Sequence, residues 1–155
     1  MLPYFCFMGL IYRYPKQICY LCKDNNARDF TIMIDIGLTH TSELLVTNDV
    51  TAEVMGSGDM PVLATPAMMA LMENAAMLAV ASHLPEGYTT VGGHIEASHL
   101  RPSKVGDKIT ATALLTKVDG KKMEFKVIAH CQEAVIGEGT HLRFMVERKK
   151  FLDRI

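Results

Sequence analysis

Two hydrophobic patterns divide the chain. Residues 64–84, ATPAMMALMENAAMLAVASHL, are apolar at nearly every position, whereas the sequence after Pro85 alternates between apolar and polar residues. Ala, Met and Leu favour a helix. Thr65 before Pro66 is typical of a helix start, with the Thr hydroxyl as N-cap and Pro at the first helical position. We expect one long helix that ends before Pro85 and that is buried on most sides, because it is apolar all round.

The alternating region predicts four long strands. Asp119-Gly120 lies between two alternating runs and is a strong β-hairpin signal, and a two-residue loop there places Val118 opposite Lys121. The strands are expected at about 91–101, 107–118, 121–132 and 135–147.

One apolar helix followed by four antiparallel strands is buried most simply if the sheet curls around the helix. The β-branched residues of 42–48 and 51–56 add one or two short strands before the helix. The sequence therefore predicts an α+β fold, with a long central helix wrapped by a curved antiparallel β-sheet.

The first 32 residues differ from the rest. MLPYFCFMGLIY is apolar, but no basic region precedes it, and it is shorter than the roughly 20 residues that a membrane-spanning helix needs. We interpret residues 1–32 as an appended segment of unknown role. Residues 33–155, starting at Met33, are then the functional domain, and no membrane partner is expected.

The net charge and the cysteines limit the classes of partner and cofactor that we expect. The net charge of −1 gives no basic surface for nucleic acid or for an anionic membrane. Cys19 and Cys22 have the spacing of half a zinc site, but no second ligand pair follows, so neither a metal nor a cofactor is expected. The lack of a disulfide framework favours the reducing cytoplasm.

Glu73 is the unusual residue of the helix. Its neighbours three and four positions away are Met69, Ala70, Ala76 and Met77, so no polar face surrounds it. It could be a structural acid, either at a helix edge or buried with a partner. It could also be a catalytic carboxylate whose reactivity is raised by desolvation.

Other candidates are one hydroxyl, two imidazoles and a Gly pair. Thr65 could cap the helix or help the helix N-terminus to hold an oxyanion. His94 and His99 are five residues apart in a strand, so their side chains point to opposite faces and cannot bind one ion together. His99 ends the strand, where it is either solvated or catalytic. Gly92-Gly93 indicates close approach by a ligand or another backbone.

Four segments together resemble the hotdog-fold thioesterases of the fluoroacetyl-CoA thioesterase type. They are LATPAMMALMENAAMLA, GGHIEASHLRPSKVGDKIT, VDGKKMEFKVIAH and EAVIGEGTH, and the likeness covers about residues 33–151. The family's Thr, its Glu eight residues later, its strand Gly and its His near the strand end fall on Thr65, Glu73, Gly92 and His99.

The resemblance implies a hotdog homodimer, which could pair further into a tetramer, with acyl-CoA bound at the subunit interface. Glu73 would attack the thioester carbonyl or activate water, and His99 would transfer protons. Thr65 would orient Glu73 or the substrate. Gly92 and Gly93 would contact the substrate near the oxyanion.

In the same hotdog dimer, Arg101 would lie near the CoA phosphates. The specialised enzyme of the family carries phenylalanines before the helix, whereas residues 54–64, VMGSGDMPVLA, contain no aromatic residue. The expected reaction is therefore hydrolysis of a small or medium acyl-CoA. Two alternatives remain open, a non-catalytic acyl-CoA-binding sensor and a hydratase-like hotdog enzyme.

Overall fold

The structure of the protein, a computed structural model, describes residues 34–155. The hypotheses on residues 1–32 and on Cys19 and Cys22 fall outside these described residues. The strands are β1 Thr39–Leu45, β2 Tyr88–His99, β3 Lys108–Asp119, β4 Lys122–Cys131 and β5 Ala134–Glu147. The helices are α1 Ala52–Met55, α2 Thr65–Ala81 and α3 Arg148–Leu152.

The strands form one five-stranded antiparallel sheet in the order β1-β3-β4-β5-β2. Helix α2 packs on one face of this sheet and contacts all five strands. The buried side chains of α2 follow a helical spacing, and they meet core residues such as Phe125, Met123 and Leu115. The predicted α+β fold is confirmed. The buried residues of α2 are Ala67, Met68, Leu71, Met72, Ala75, Ala76, Ala79 and Val80.

The expectation that α2 is buried on most sides is wrong for the single chain. Ala70 and Leu78 are exposed on the side that faces away from the sheet, whereas the exposed Asn74 lies at the helix edge and accepts a hydrogen bond from Ser42 on β1. One curved sheet covers only one face of a helix, so the second apolar face of α2 stays open.

The predicted β3–β4 hairpin forms, but its register differs from the expected one. The loop is Gly120-Lys121 instead of Asp119-Gly120, so Val118 pairs with Met123. Gly120 has a φ of 58°. Two-residue hairpin loops with glycine at the first position favour such a positive φ, which other residues adopt at a cost.

The strand predicted at 51–56 is wrong, because this segment forms helix α1. Thr51 makes an isolated bridge with Leu63, and the left-handed Gly56, with φ 70°, ends the helix. β-propensity depends on a pairing strand, and Ala and Glu favour a helix where that partner is missing. The strand expected at 42–48 is β1, which begins earlier at Thr39.

Candidate functional site

Thr65 and His99 are joined by a hydrogen bond. Thr65 begins α2, His99 ends β2, and the Thr65 Oγ1 lies 2.9 Å from the His99 Nδ1. The helix is preceded by Ala64 in the N-cap position, so the expected capping role of Thr65 is wrong. Its hydroxyl is directed to the imidazole instead. Pro66 follows in the first turn, where its missing N–H costs no helical bond.

His99 keeps one ring nitrogen unpaired. Its Nε2 is buried and has no hydrogen-bond partner among residues 34–155. Burial lowers the pKa of His99, and the backbone of Arg101 opposes that shift. A lowered pKa keeps the ring neutral near neutral pH, so one of its nitrogens can accept a proton.

A cavity of about 270 Å³ opens beside this pair. Arg101 is exposed and lines it, so the structure brings the predicted Arg101 together with Thr65 and His99. A larger groove of about 810 Å³ lies along Thr112, Leu114 and other strand residues, and it contains none of the predicted site residues. The lining residues of the smaller cavity are Ala52, Ser57, Val62, Leu63, Thr65, His99, Leu100, Arg101 and Pro102.

Glu73 lies elsewhere on the helix. It follows Thr65 by eight residues, which is about 12 Å along the axis. Within the described residues, no hydrogen bond joins its carboxylate to Thr65 or His99. Of the positions left open for Glu73, the single chain shows the helix edge, where its side chain is 41% exposed.

Gly92 provides the space in which the Glu73 carboxylate lies. A Cβ atom added at Gly92 would lie only 2.7 Å from the Glu73 Oε1. This is the close approach that the glycine pair indicated, although the approaching group is a side chain. Gly93 is not brought to this group, since its Cβ would meet the Phe144 ring at 2.5 Å. The strand pairing shifts between Gly92 and His94, and the two glycines face different neighbours.

The sequence did not point to three further polar residues beside Glu73. Arg143 is 6% exposed and His141 2%, both on β5, and Thr90 on β2 is also buried. The Arg143 Nε donates to the Thr90 Oγ1 at 2.9 Å, and its Nη2 donates to the Thr90 carbonyl at 2.8 Å. Its Nη1 lies 3.0 Å from the His141 Nε2 and 3.4 Å from the Glu73 carbonyl.

These bonds define the protonation of His141. The His141 Nδ1 lies 2.7 Å from the His94 carbonyl, which can only accept, so Nδ1 carries the proton. The Nε2 must accept from Arg143, so the ring is neutral. The Glu73 Oε1 lies 3.5 Å from that Nε2, but a neutral ring with a bare Nε2 cannot form an ion pair with it. Arg143 is therefore the positive charge close to Glu73.

The pKa directions agree with this geometry. Burial lowers the pKa of His141, and the Arg143 charge lowers it further. Burial also lowers the pKa of Arg143, while the nearby Glu73 carboxylate raises it. A signal was present in the sequence, because His141 and Arg143 are two residues apart and share a strand face with the apolar Met145.

No group of three or more His, Cys, Asp or Glu within residues 34–155 could hold a metal ion. Over the same residues, no helix has the length and hydropathy to cross a membrane. The candidate site has two parts, the Thr65–His99 pair beside its cavity and the Glu73 carboxylate beside Gly92 and Arg143.

Known proteins share this sequence and fold. The family profile described as fluoroacetyl-CoA-specific thioesterase matches residues 46–149. A fluoroacetyl-CoA thioesterase of Streptantibioticus cattleyicolor is 37% identical over 90 residues, which span 58% of this chain and 65% of that relative. This chain thus aligns with just under two thirds of that relative's length.

Two solved structures are similar as well. A mutant of the fluoroacetyl-CoA thioesterase FlK in complex with acetyl-CoA is 28% identical, with a TM-score of 0.74 over 78% of this chain and 96% of the other. A Thermus thermophilus thioesterase superfamily member is 27% identical, with a TM-score of 0.73 over 78% of this chain and 90% of the other. The expected hotdog fold is confirmed. Because the matching profile covers well over half of the sequence, the chain belongs to the fluoroacetyl-CoA-specific thioesterase family.

Proposed function

We propose that the protein hydrolyses a small or medium acyl-CoA thioester to the free acid and CoA. The observation that supports this most is the 2.9 Å hydrogen bond between Thr65 and His99 beside a cavity. A hydroxyl–imidazole pair with a neutral imidazole is a common arrangement for acyl transfer. The related proteins, which are described as thioesterases, support the same reaction.

Hydrolysis needs a base first and an acid afterwards. Where water attacks the thioester directly, a neutral His99 can take a proton from the water as its oxygen adds to the carbonyl carbon. The C–S bond then breaks, and the same proton returns to the departing CoA sulfur. Thr65 fixes the ring orientation through Nδ1, and backbone N–H groups at the start of α2 or near Gly92 stabilise the oxyanion. In this mechanism the pair needs no metal or cofactor.

Glu73 supplies the third group in one of two ways. As a nucleophile its carboxylate adds to the thioester carbonyl and CoA leaves as the thiolate, and His99 then takes the proton of the water that hydrolyses the anhydride. As a base it takes the proton of the attacking water in place of His99, and that proton passes to the departing CoA sulfur.

Glu73 is about 12 Å along α2 from Thr65 in the same chain. We therefore infer a homodimer in which Glu73 of one copy meets the Thr65–His99 pair of the other. The open face of α2 and the position of β2 at the edge of the sheet support this arrangement.

The proposed substrate class rests on the segment before α2 and on the related proteins. Residues 54–64 contain no aromatic side chain, so this segment lacks the phenylalanines of the fluoroacetyl-specialised enzyme, and we do not extend fluoroacetyl specificity to this protein. The FlK complex with acetyl-CoA shows that a relative holds an unfluorinated acyl group. We propose that Arg101, which lines the cavity, binds a CoA phosphate. The lack of a disulfide framework in the sequence supports a cytoplasmic enzyme.

The test is CoA release, measured with a thiol reagent, from acetyl-CoA to octanoyl-CoA. Wild type is compared with Glu73→Ala and with Glu86→Ala, a matched control at an exposed turn. We expect release by wild type and the control, and a loss of about 100-fold or more in Glu73→Ala. Acyl-CoA binding without release by folded wild type would support the sensor function instead. Hydration of an enoyl-CoA would support the hydratase.

A further inference from the structure

The Arg143 side chain has almost no freedom to reorient. It is buried, and its guanidinium makes four hydrogen bonds to Thr90, His141 and the backbone of Glu73. Arg carries five N–H donors in a planar fork, so four assigned donors define the plane and its rotation. The guanidinium bonds the carbonyl of Glu73 and not its carboxylate. It therefore acts on the carboxylate as a fixed nearby charge.

His141 binds the Arg143 guanidinium on the side that faces Glu73. Its Nε2 accepts from the Arg143 Nη1, the same nitrogen that donates to the Glu73 carbonyl. Its own ring is anchored through Nδ1 to the His94 carbonyl on the neighbouring strand. The ring also borders the Glu73 carboxylate, at 3.5 Å between Nε2 and Oε1. A donor at Nε2 would face the donors of Arg143 and break this connection.

We propose that His141 is a positioning residue, which as the neutral Nδ1–H tautomer holds Arg143 against Glu73 and thereby sets the place of the Glu73 carboxylate. This rests on the proposed function of Glu73. His141 itself touches no reacting atom in this role. What it provides is an acceptor at Nε2 and a flat ring that limits the carboxylate on one side.

Two substitutions separate the acceptor from the ring. His141→Phe keeps a ring but removes the acceptor, and His141→Gln keeps an acceptor oxygen within reach of Arg143. The readouts are kcat and KM with the acyl-CoA that wild type hydrolyses best. His130→Phe on β4 makes the same substitution outside the network and serves as the control.

For His141→Phe we expect kcat to fall by about 10- to 100-fold while KM changes by less than about 3-fold, because the reacting geometry is lost and CoA binding is not. His141→Gln is expected to recover kcat to within about 5-fold of wild type, and His130→Phe to match wild type. Equal losses in the Phe and Gln variants, or a loss confined to KM, would overturn the proposal.

Nitrogen NMR of the ¹⁵N-labelled wild type gives a readout that needs no turnover. The His141 ring is expected to show the neutral Nδ1–H pattern at pH 7. An imidazolium or an Nε2–H tautomer contradicts the proposal whatever the kinetics show. If wild type releases no CoA from any substrate, the hydrolase function fails, and the NMR pattern alone then decides whether His141 holds Arg143.

Discussion

Replacing Gly92 with alanine places a methyl group against the Glu73 carboxylate. The new Cβ would lie 2.7 Å from the Glu73 Oε1, which is 0.7 Å below the 3.4 Å at which ordinary contact begins. The backbone at Gly92 does not have a positive φ, so alanine is not strained there. Because the clash involves the end of a flexible side chain, Glu73 moves and the fold remains.

A displacement of this size is costly for catalysis. Misplacing a reacting group by about 1 Å lowers rates by roughly 100-fold, so we expect kcat/KM of Gly92→Ala to fall by about 10- to 100-fold. Removing a glycine from a strand stabilises the fold by about 0.5 kcal/mol, so its melting temperature should be unchanged or slightly higher. The assay is CoA release together with thermal unfolding by circular dichroism.

Gly93→Ala is the matched control. Its Cβ would lie 2.5 Å from the Phe144 ring, away from Glu73, so we expect a lower melting temperature and nearly unchanged kcat/KM. The reasoning is refuted if Gly92→Ala retains wild-type kcat/KM, or if the two alanine variants lose activity equally.

Thr65→Val, which removes the bond to His99, should lower kcat by about 100-fold at unchanged melting temperature. The kcat of Thr65→Ser should stay within about 10-fold of wild type. A wild-type kcat in the Val variant would contradict the role of the bond. Burial lowers the pKa of His141, which faces Arg143, Glu73 and His94, below its ordinary 6.5. The unfolded chain therefore binds the proton first as pH falls below that value, and the free energy of unfolding decreases by at most about 1.4 kcal/mol per pH unit. Urea titrations from pH 7.5 to 5 should show a shallower decrease for His141→Gln, and equal slopes would contradict it. A chain starting at Met33 should fold and hydrolyse as the full chain does, and loss of either would disprove an appended segment.

The helix and the long strands could be predicted because their signals are local. The apolar run after Thr65 consists mostly of Ala, Met and Leu, which favour a helix, and each alternating run is bounded by turn residues. The hairpin register could not be fixed in this way, because Asp119, Gly120 and Lys121 allow two adjacent loops that differ by one residue. Segment 51–56 was misassigned because its conformation depends on the missing partner strand.

The site was predicted in part for a comparable reason. Thr65, Glu73 and His99 were identified through the family resemblance, and the structure adds that only Thr65 and His99 meet within one chain. In the alternation of β5, the apolar Leu142 and Phe144 would normally face the core. They face outward instead, since His141 and Arg143 face inward, where they bond each other, the His94 carbonyl and Thr90.

In the proposed hydrolase, Glu73 acts with the Thr65–His99 pair of a second copy. The most direct measurement is CoA release by a one-to-one mixture of Glu73→Ala and His99→Ala chains, unfolded together and refolded. Each mixed dimer then has one intact site if the site is shared, so the mixture should regain about a quarter of wild-type activity although each variant alone is inactive. A mixture as inactive as its components would contradict the shared site.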